Sequence, residues 1–265
     1  MLPKPAHLGP AYAGQFQDRS VVAAYHHRPL FPAETFDIFE ALIADVPRVV
    51  LDVGCGTGEI ARPLAERVER VDAVDWSAGM IERGKRLPGG ADPRLTWIVA
   101  KAEEAPLRPP YALVTAGNSL HWLDWAVVMP RFRAALTPNG VLAVAGQGPA
   151  EGEPWAAALL DLIGRASTNR DFQPYDLIAE LTGRGFFHEL GRRRTAPVPF
   201  AQSVDDYIEM RHSQNGLSRD RMGPAAAAAF DAAVRALVTP YSRDGLLHMD
   251  IAADVVWGEP GLAGA

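Results

Sequence analysis

Between residues 48 and 147 the chain switches repeatedly between short apolar runs and amphipathic stretches. "RVVLDV" (48–53), "VDAVDW" (71–76), "RLTWIVAK" (94–101), "YALVTAG" (111–117) and "GVLAVAG" (140–146) have the length and composition of buried strands. Between them, "EIARPLAERVER" (59–70), "SAGMIERGKRL" (77–87) and "DWAVVMPRFRAAL" (124–136) carry apolar residues at helical spacing. Ser77 stands where an N-cap belongs, Pro63 falls in the first turns of its helix, and "TPNG" (137–140) reads as a turn. Strands that alternate with helices in this way form a parallel sheet with helices on both faces. The ligand of such a sheet sits beyond the carboxyl ends of its strands.

At the first of those ends stands "LDVGCGTGE" (51–59), three glycines in five positions behind an acid. Gly54, Gly56 and Gly58 allow the backbone to approach a ligand closely, ahead of a helix N-terminus. A dinucleotide fingerprint requires glycine where Glu59 stands, and a carboxylate there opposes a pyrophosphate. Some twenty residues on, Asp75 ends the second strand, where a carboxylate accepts both hydroxyls of a ribose, and the adjacent Trp76 has a face for a base. A nucleoside without phosphates fits this set best.

Composition removes other classes. A formal net charge of -6 over 265 residues gives no footprint for a nucleic-acid backbone, and Arg192–Arg194 reads as a solvated strand face. No apolar run approaches membrane-spanning length and the start lacks a signal-peptide pattern, so a cytoplasmic protein with no membrane partner is expected. Cys55, the only cysteine, excludes an intrachain disulfide and reads as a small residue in a tight loop. His26 and His27 lack further ligands at metal-binding spacing, so no metal is expected.

With "VVLDVGCGTGE", "VDAVDWSAGM", "AKAEEAPL", "LVTAGNSLHW" and "LTPNGVLAV" in this order, residues 25 to 145 resemble the class I S-adenosylmethionine-dependent methyltransferases. The similarity is greatest to the small-molecule branch that includes the trans-aconitate methyltransferases, through "SLHW" and "YHHRPLFP". The resemblance implies a doubly wound, mostly parallel seven-stranded sheet with S-adenosyl-L-methionine as cofactor. It also implies that Gly54, Cys55 and Gly56 line the methionine part, Asp75 the ribose, Trp76, Met80, Ala102 and Glu103 the adenine, and Asn118 the region near the methyl group. Asp52 would steady the glycine loop. Where the family has an adenine-binding acid after strand three, this chain has Lys101, leaving Glu103 or a backbone carbonyl to accept from the adenine amino group.

His121, just after strand four, is the candidate general base or substrate anchor. Tyr25 and Arg28 are candidates to close over the cofactor or hold an acidic substrate, and Arg28 or Arg211 would suit a carboxylate if either faces a pocket.

The expected organisation is an N-terminal helical lid over 1–45, a cofactor-binding core over 46–150, and the rest of the sheet over 151–265 with a helical substrate cap at about 200–245. "HELGRRRTAPVPF" (188–200) and "GLLHMDIAADVVWG" (245–258) read as an outer and a final strand. The expected function is methyl transfer to a small organic acceptor, most readily at oxygen. Two alternatives stay open: a nucleoside-binding module without transfer, and an NAD-dependent oxidoreductase, which fits the fold and Asp75 but fails at Glu59.

Overall fold

The computed structural model describes residues 4–173 and 175–261. Its strands are β1 (Val49–Val53), β2 (Arg70–Asp75), β3 (Leu95–Val99), β4 (Tyr111–Gly117), β5 (Leu136–Pro149), β6 (Phe187–Arg194), β7 (Val198–Ser203) and β8 (Leu246–Pro260). The helices are α1 (Pro10–Ala13), α2 (Arg19–Ala24), α3 (Ala33–Leu42), α4 (Ala61–Ala65), α5 (Ala78–Gly84), α6 (Trp125–Ala135), α7 (Ala156–Ala166), α8 (Leu177–Gly183), α9 (Val204–His212), α10 (Arg219–Met222) and α11 (Pro224–Val238). The chain divides into two compact units.

A sheet unit comprises Phe31–Gln147, Pro174–Ala196 and Ala253–Ala265. Its strands run in the order β3-β2-β1-β4-β5-β8-β6. The pairs β1–β2, β1–β4, β2–β3 and β4–β5 are parallel, and β6–β8 is antiparallel. All five residues of β1 are buried, as expected of a central parallel strand covered on both faces. On one face Phe36 and Phe39 of α3 and Leu64 of α4 join Val50, Leu113, Val141 and Ala253 in one apolar cluster. α5 contributes buried Met80 and Ile81, and α6 contributes Val128, Met129 and Phe132.

Ser77 accepts from the Met80 N–H at the start of α5, and Asp124 accepts from the Ala126 N–H at the start of α6. The Ser77 cap is the one expected from the sequence; the Asp124 cap is seen in the structure. Three other expectations change. The helix over 59–70 is confined to α4, because the chain tightens into an i→i−3 bond from Arg67 N–H to the Leu64 carbonyl. "TPNG" lies within β5, where the register jumps from Tyr111↔Leu136 to Leu113↔Val141 and Asp45 accepts from the Asn139 N–H and Nδ2. The sheet has eight strands rather than seven. The expected outer strand over 188–200 breaks at Pro197, which has no N–H for the ladder, and the chain resumes as β7.

A helical unit comprises Met1–Leu30, Gly148–Gln173 and Pro197–Ala252. Here β7 pairs antiparallel with the first half of β8, from Val198↔Ile251 to Ser203↔Leu246. α11 packs against α7 and α9, over a core of Trp155, Leu159, Tyr207, Ile208, Phe230 and Val234. The N-terminal segment belongs to this unit through polar contacts. Ser20 N–H donates to Asp220, Ser218 Oγ donates to Asp18, and Arg221 pairs with Asp18 at 2.7 Å. The expected lid over 1–45 therefore divides near residue 30: residues 4–30 pack with the expected cap at 200–245, whereas α3 packs into the sheet unit.

Replacing Phe132 by Ala should cost about 3–5 kcal/mol in urea unfolding, because it empties a fully buried site on α6. Val127→Ala, on the exposed side of the same helix, should stay within about 0.5 kcal/mol. Equal losses would show that α6 does not bury the face described.

Candidate active site

β1 runs into a loop that only glycine can trace comfortably. Gly54 and Gly56 have φ of 63° and 56°, in the left-handed region that side chains avoid. At Gly54 space is closed as well, since a Cβ there would lie 2.4 Å from Ser119 Cβ. The loop is stitched to β2 by the Cys55 N–H, which donates to the Val74 carbonyl at 3.0 Å.

Asp75 holds this loop to the next helix. Its Oδ2 accepts from the Gly56 N–H at 2.8 Å and its Oδ1 from the Ser77 N–H at 2.7 Å. A carboxylate has about four acceptor positions, so capacity remains for two hydroxyls. Burial raises its pKa, the two N–H donors oppose that, and the charge of Glu59 adds to it. An Asp75 substitution read from sequence alone would touch only the ribose; here it also releases two backbone donors.

Asp52 has a further part beside the one expected. Its Oδ1 accepts from Thr115 Oγ1 at 2.9 Å, so it also ties β1 to β4. Among the described residues its buried Oδ2 has no partner in hydrogen-bond geometry, only the weaker pull of the Ala61 N–H. Burial pushes its pKa up to about 7, with Glu59 and Asp75 adding to the effect. Cys55 shares this acidic interior. Burial and the surrounding carboxylates hold its thiol well above the usual range, which removes it as a nucleophile.

Beside Asp75, in register on β3, Val99 is an apolar side chain 54% exposed. Trp76 is half-buried, and Met80 and Ala102 are buried. Glu103 faces a neighbouring turn, where its Oε1 accepts from the Asp124 N–H at 2.7 Å. The Lys101 side chain is exposed, and its carbonyl accepts from the Glu104 and Ala105 N–H groups. Glu103 therefore already accepts one bond, and the Lys101 carbonyl is taken up by the turn that follows it.

At the end of β4, Gly117 makes room for Ile60, which a Cβ would meet at 2.5 Å. Asn118 follows with φ 50°, and Ser119 Oγ donates to the Val53 carbonyl at 2.6 Å. His121 sits in the one-turn 3-10 helix Leu120–Trp122, half-exposed, with its ring 4.7 Å from that of Trp122. β1, β2 and β4 therefore bring Gly54, Cys55, Gly56, Asp75 and Asn118 to one end of the sheet, with His121 one turn further on. Sequence reading missed Ser119 and Thr115, although Ser119 lies inside the quoted "NSLHW".

Arg28 belongs to the helical unit, where it is committed to Ser213. Its Nε donates to Ser213 Oγ at 2.8 Å and its Nη2 to the Ser213 carbonyl at 2.5 Å, with the guanidinium over the Tyr25 ring. Arg211 is likewise engaged with Tyr207 and with Glu153 at 3.8 Å. His26 Nδ1 donates to the Ala23 carbonyl at 2.8 Å, and His27 pairs with Asp206. No cluster of metal-ligating side chains occurs among the described residues.

Residues 50–140 match the family model described as a methyltransferase domain. A trans-aconitate 2-methyltransferase of Methylobacterium radiotolerans is 34% identical over 157 residues, 51% of this chain and 57% of that protein. A solved structure of a proposed type II methyltransferase from Anaeromyxobacter dehalogenans superposes with a TM-score of 0.63 at 24% identity, covering 90% of this chain and 99% of the other. The matched segment is a methyltransferase domain, similar to those of the class I S-adenosylmethionine-dependent methyltransferases, and the solved structure shares its fold. An uncharacterized methyltransferase of Mycobacterium tuberculosis is 33% identical over 148 residues. The matches span 58% and 57% of the lengths of these curated relatives and 55% and 51% of this chain. A malonyl-[acyl-carrier protein] O-methyltransferase of Anoxybacillus flavithermus is 36% identical over 83 residues, 31% of each chain.

Asp75→Ala should weaken S-adenosylmethionine binding about tenfold to a hundredfold, as a charge-assisted pair of bonds is lost. It should also lower the stability of the ligand-free protein by about 2 kcal/mol, because the Gly56 and Ser77 N–H groups lose their acceptor. Calorimetry and urea unfolding measure the two effects, and unchanged stability would place the loop's anchor elsewhere. Asp52 has a folded pKa above its unfolded one, so its contribution is fully present at low pH and is lost as pH rises from about 4 to about 7. Unfolding at pH 4.5 and 7.5 should show that loss in the native protein and a smaller one in Asp52→Asn. Equal slopes would mean that Asp52 ionises in its ordinary range.

Proposed function

We propose that this protein transfers the methyl group of S-adenosylmethionine to a small organic acceptor, at oxygen. The observation that carries the reading is the Asp75 clamp. A buried carboxylate with unused acceptor positions closes a left-handed glycine loop at the end of β1, a shape matched to a ribose beside a chain without phosphates. The acidic interior supports it further: Asp52, Asp75 and Glu59 favour a ligand that brings positive charge.

When bound, the cofactor supplies a methyl group on an already activated sulfonium. The chain's own residues then have to hold two molecules in line and exclude water, and such positioning carries most of the rate. Gly54 and Gly56 admit the methionine part, Asp75 accepts from the ribose hydroxyls, and Trp76, Met80, Val99 and Ala102 offer apolar surface to the base. Asn118 and Ser119 border the reacting end. His121 accepts the proton of a protonated acceptor, or anchors an acceptor that is already ionised.

Support for oxygen as the nucleophile comes from the malonyl-[acyl-carrier protein] O-methyltransferase relative, and support for a small acid from the trans-aconitate relative. Arg28 and Arg211 are committed to Ser213 and to Tyr207 with Glu153, so a carboxylate acceptor would be recognised by other donors. Among the described residues no helix is long and apolar enough to cross a membrane.

Calorimetry with S-adenosylmethionine, S-adenosylhomocysteine and NAD should show micromolar binding of the first two alone. Incubation with trans-aconitate and with malonyl thioesters should release S-adenosylhomocysteine for at least one acceptor. Binding without turnover across a broad acid and alcohol panel would favour the non-transferring module instead. With an acceptor in hand, His121→Ala should lose about a hundredfold in kcat while cofactor affinity stays within threefold. Full activity per folded molecule would reduce His121 to packing.

A further inference from the structure

At the carboxyl ends of β4 and β5 the chain invests several contacts in the posture of one residue. Asn118 is one of only two non-glycine residues with positive φ among those described, a backbone state that costs about 1 kcal/mol unless its surroundings hold it. Its N–H donates to the Ala145 carbonyl at 2.9 Å, and its Nδ2 donates to Gln147 Oε1 at 2.6 Å. Between those partners Gly146 leaves the carboxamide room to lie along the strand, since a Cβ there would stand 3.2 Å from Asn118 Oδ1. On the other side, Ser119 is pinned to the last carbonyl of β1 and packs where Gly54 has no side chain.

The turn that carries His121 is therefore held at two points, one toward β1 and one toward β5. We propose that Gln147 is a positioning residue of the transfer site. By accepting from Asn118 it keeps the turn after β4 in its left-handed conformation, and so fixes His121 and Trp122 relative to the glycine loop. The functional consequence rests on the methyl-transfer reading; the conformational one does not. Gln147 acts in this scheme through Asn118, so its loss should alter where an acceptor meets the methyl group without altering cofactor affinity.

The test compares Gln147→Leu, which removes the acceptor, with Gln147→Glu, which retains it. In histidine-labelled protein the His121 Cε1–H resonance, assigned through His121→Asn, is shifted by the neighbouring Trp122 ring. It should keep that shift in the native protein and in Gln147→Glu, and move toward the random-coil position in Gln147→Leu. Calorimetric affinity for S-adenosylmethionine should stay within threefold in all three, and kcat for any acceptor found should fall tenfold or more in Gln147→Leu alone. Should Gln147→Leu fail to fold, Asn118→Gly serves in its place: it accommodates the positive φ, lacks the carboxamide, and should show the same displaced resonance. An unshifted resonance in Gln147→Leu or its substitute, or a displaced one in Gln147→Glu, overturns the assignment. Absence of cofactor binding in the native protein would defeat the methyl-transfer reading while the resonance comparison still decided the clamp.

Discussion

One carboxylate joins the parts on which the sheet unit's ligand end depends. Asp75 stands at the end of β2 and accepts from Gly56 in the loop after β1 and from Ser77 at the start of α5. Without it, a stretch with φ of 63° and 56° would lose the side-chain anchor of its Gly56 N–H, leaving the Cys55–Val74 backbone bond to hold it. The same group that would receive a ribose therefore also shapes the surface the rest of the ligand would meet. Binding and local order are coupled in one side chain.

That arrangement places acids where burial opposes charge. Asp52 and Asp75 both have raised pKa values, and Glu59 adds to each. Proteins tolerate such frustration where a ligand relieves it, and here a positively charged ligand would do so. The Cys55 thiol shows the same field acting on a bystander, since it is pushed further from its reactive form by the carboxylates around it.

Polar contacts organise the helical unit by different means. Arg28, Arg211 and Arg221 bind Ser213, Tyr207 with Glu153, and Asp18 within that unit. Arg28, which the sequence offers as an anion anchor, and Arg221 fasten residues 4–30 to the segment after β7, whereas Arg211 joins that segment to Glu153. Their forked donors suit that task, because one guanidinium can satisfy several acceptors at once. In the sheet unit the equivalent joints are backbone N–H groups meeting carboxylates, a stiffer device suited to a loop that must keep its shape.

Much of the sheet unit was legible in the chain because its signals are local. Apolar runs, the cap at Ser77 and the glycines after β1 each act over a few residues, so the strands, the start of α5 and the glycine-loop motif could be read in sequence. Long-range outcomes could not. That Asp52 bonds Thr115, that Glu103 is taken by Asp124, that Arg28 meets Ser213 and that Asn118 reaches Gln147 all depend on which segments fold side by side. The break at Pro197 was visible as a residue, but its consequence, a second strand pairing with β8, required the ladder to exist. Local propensity and periodicity decide what each segment becomes; only tertiary packing decides which of its polar groups are already satisfied and which are left for a ligand.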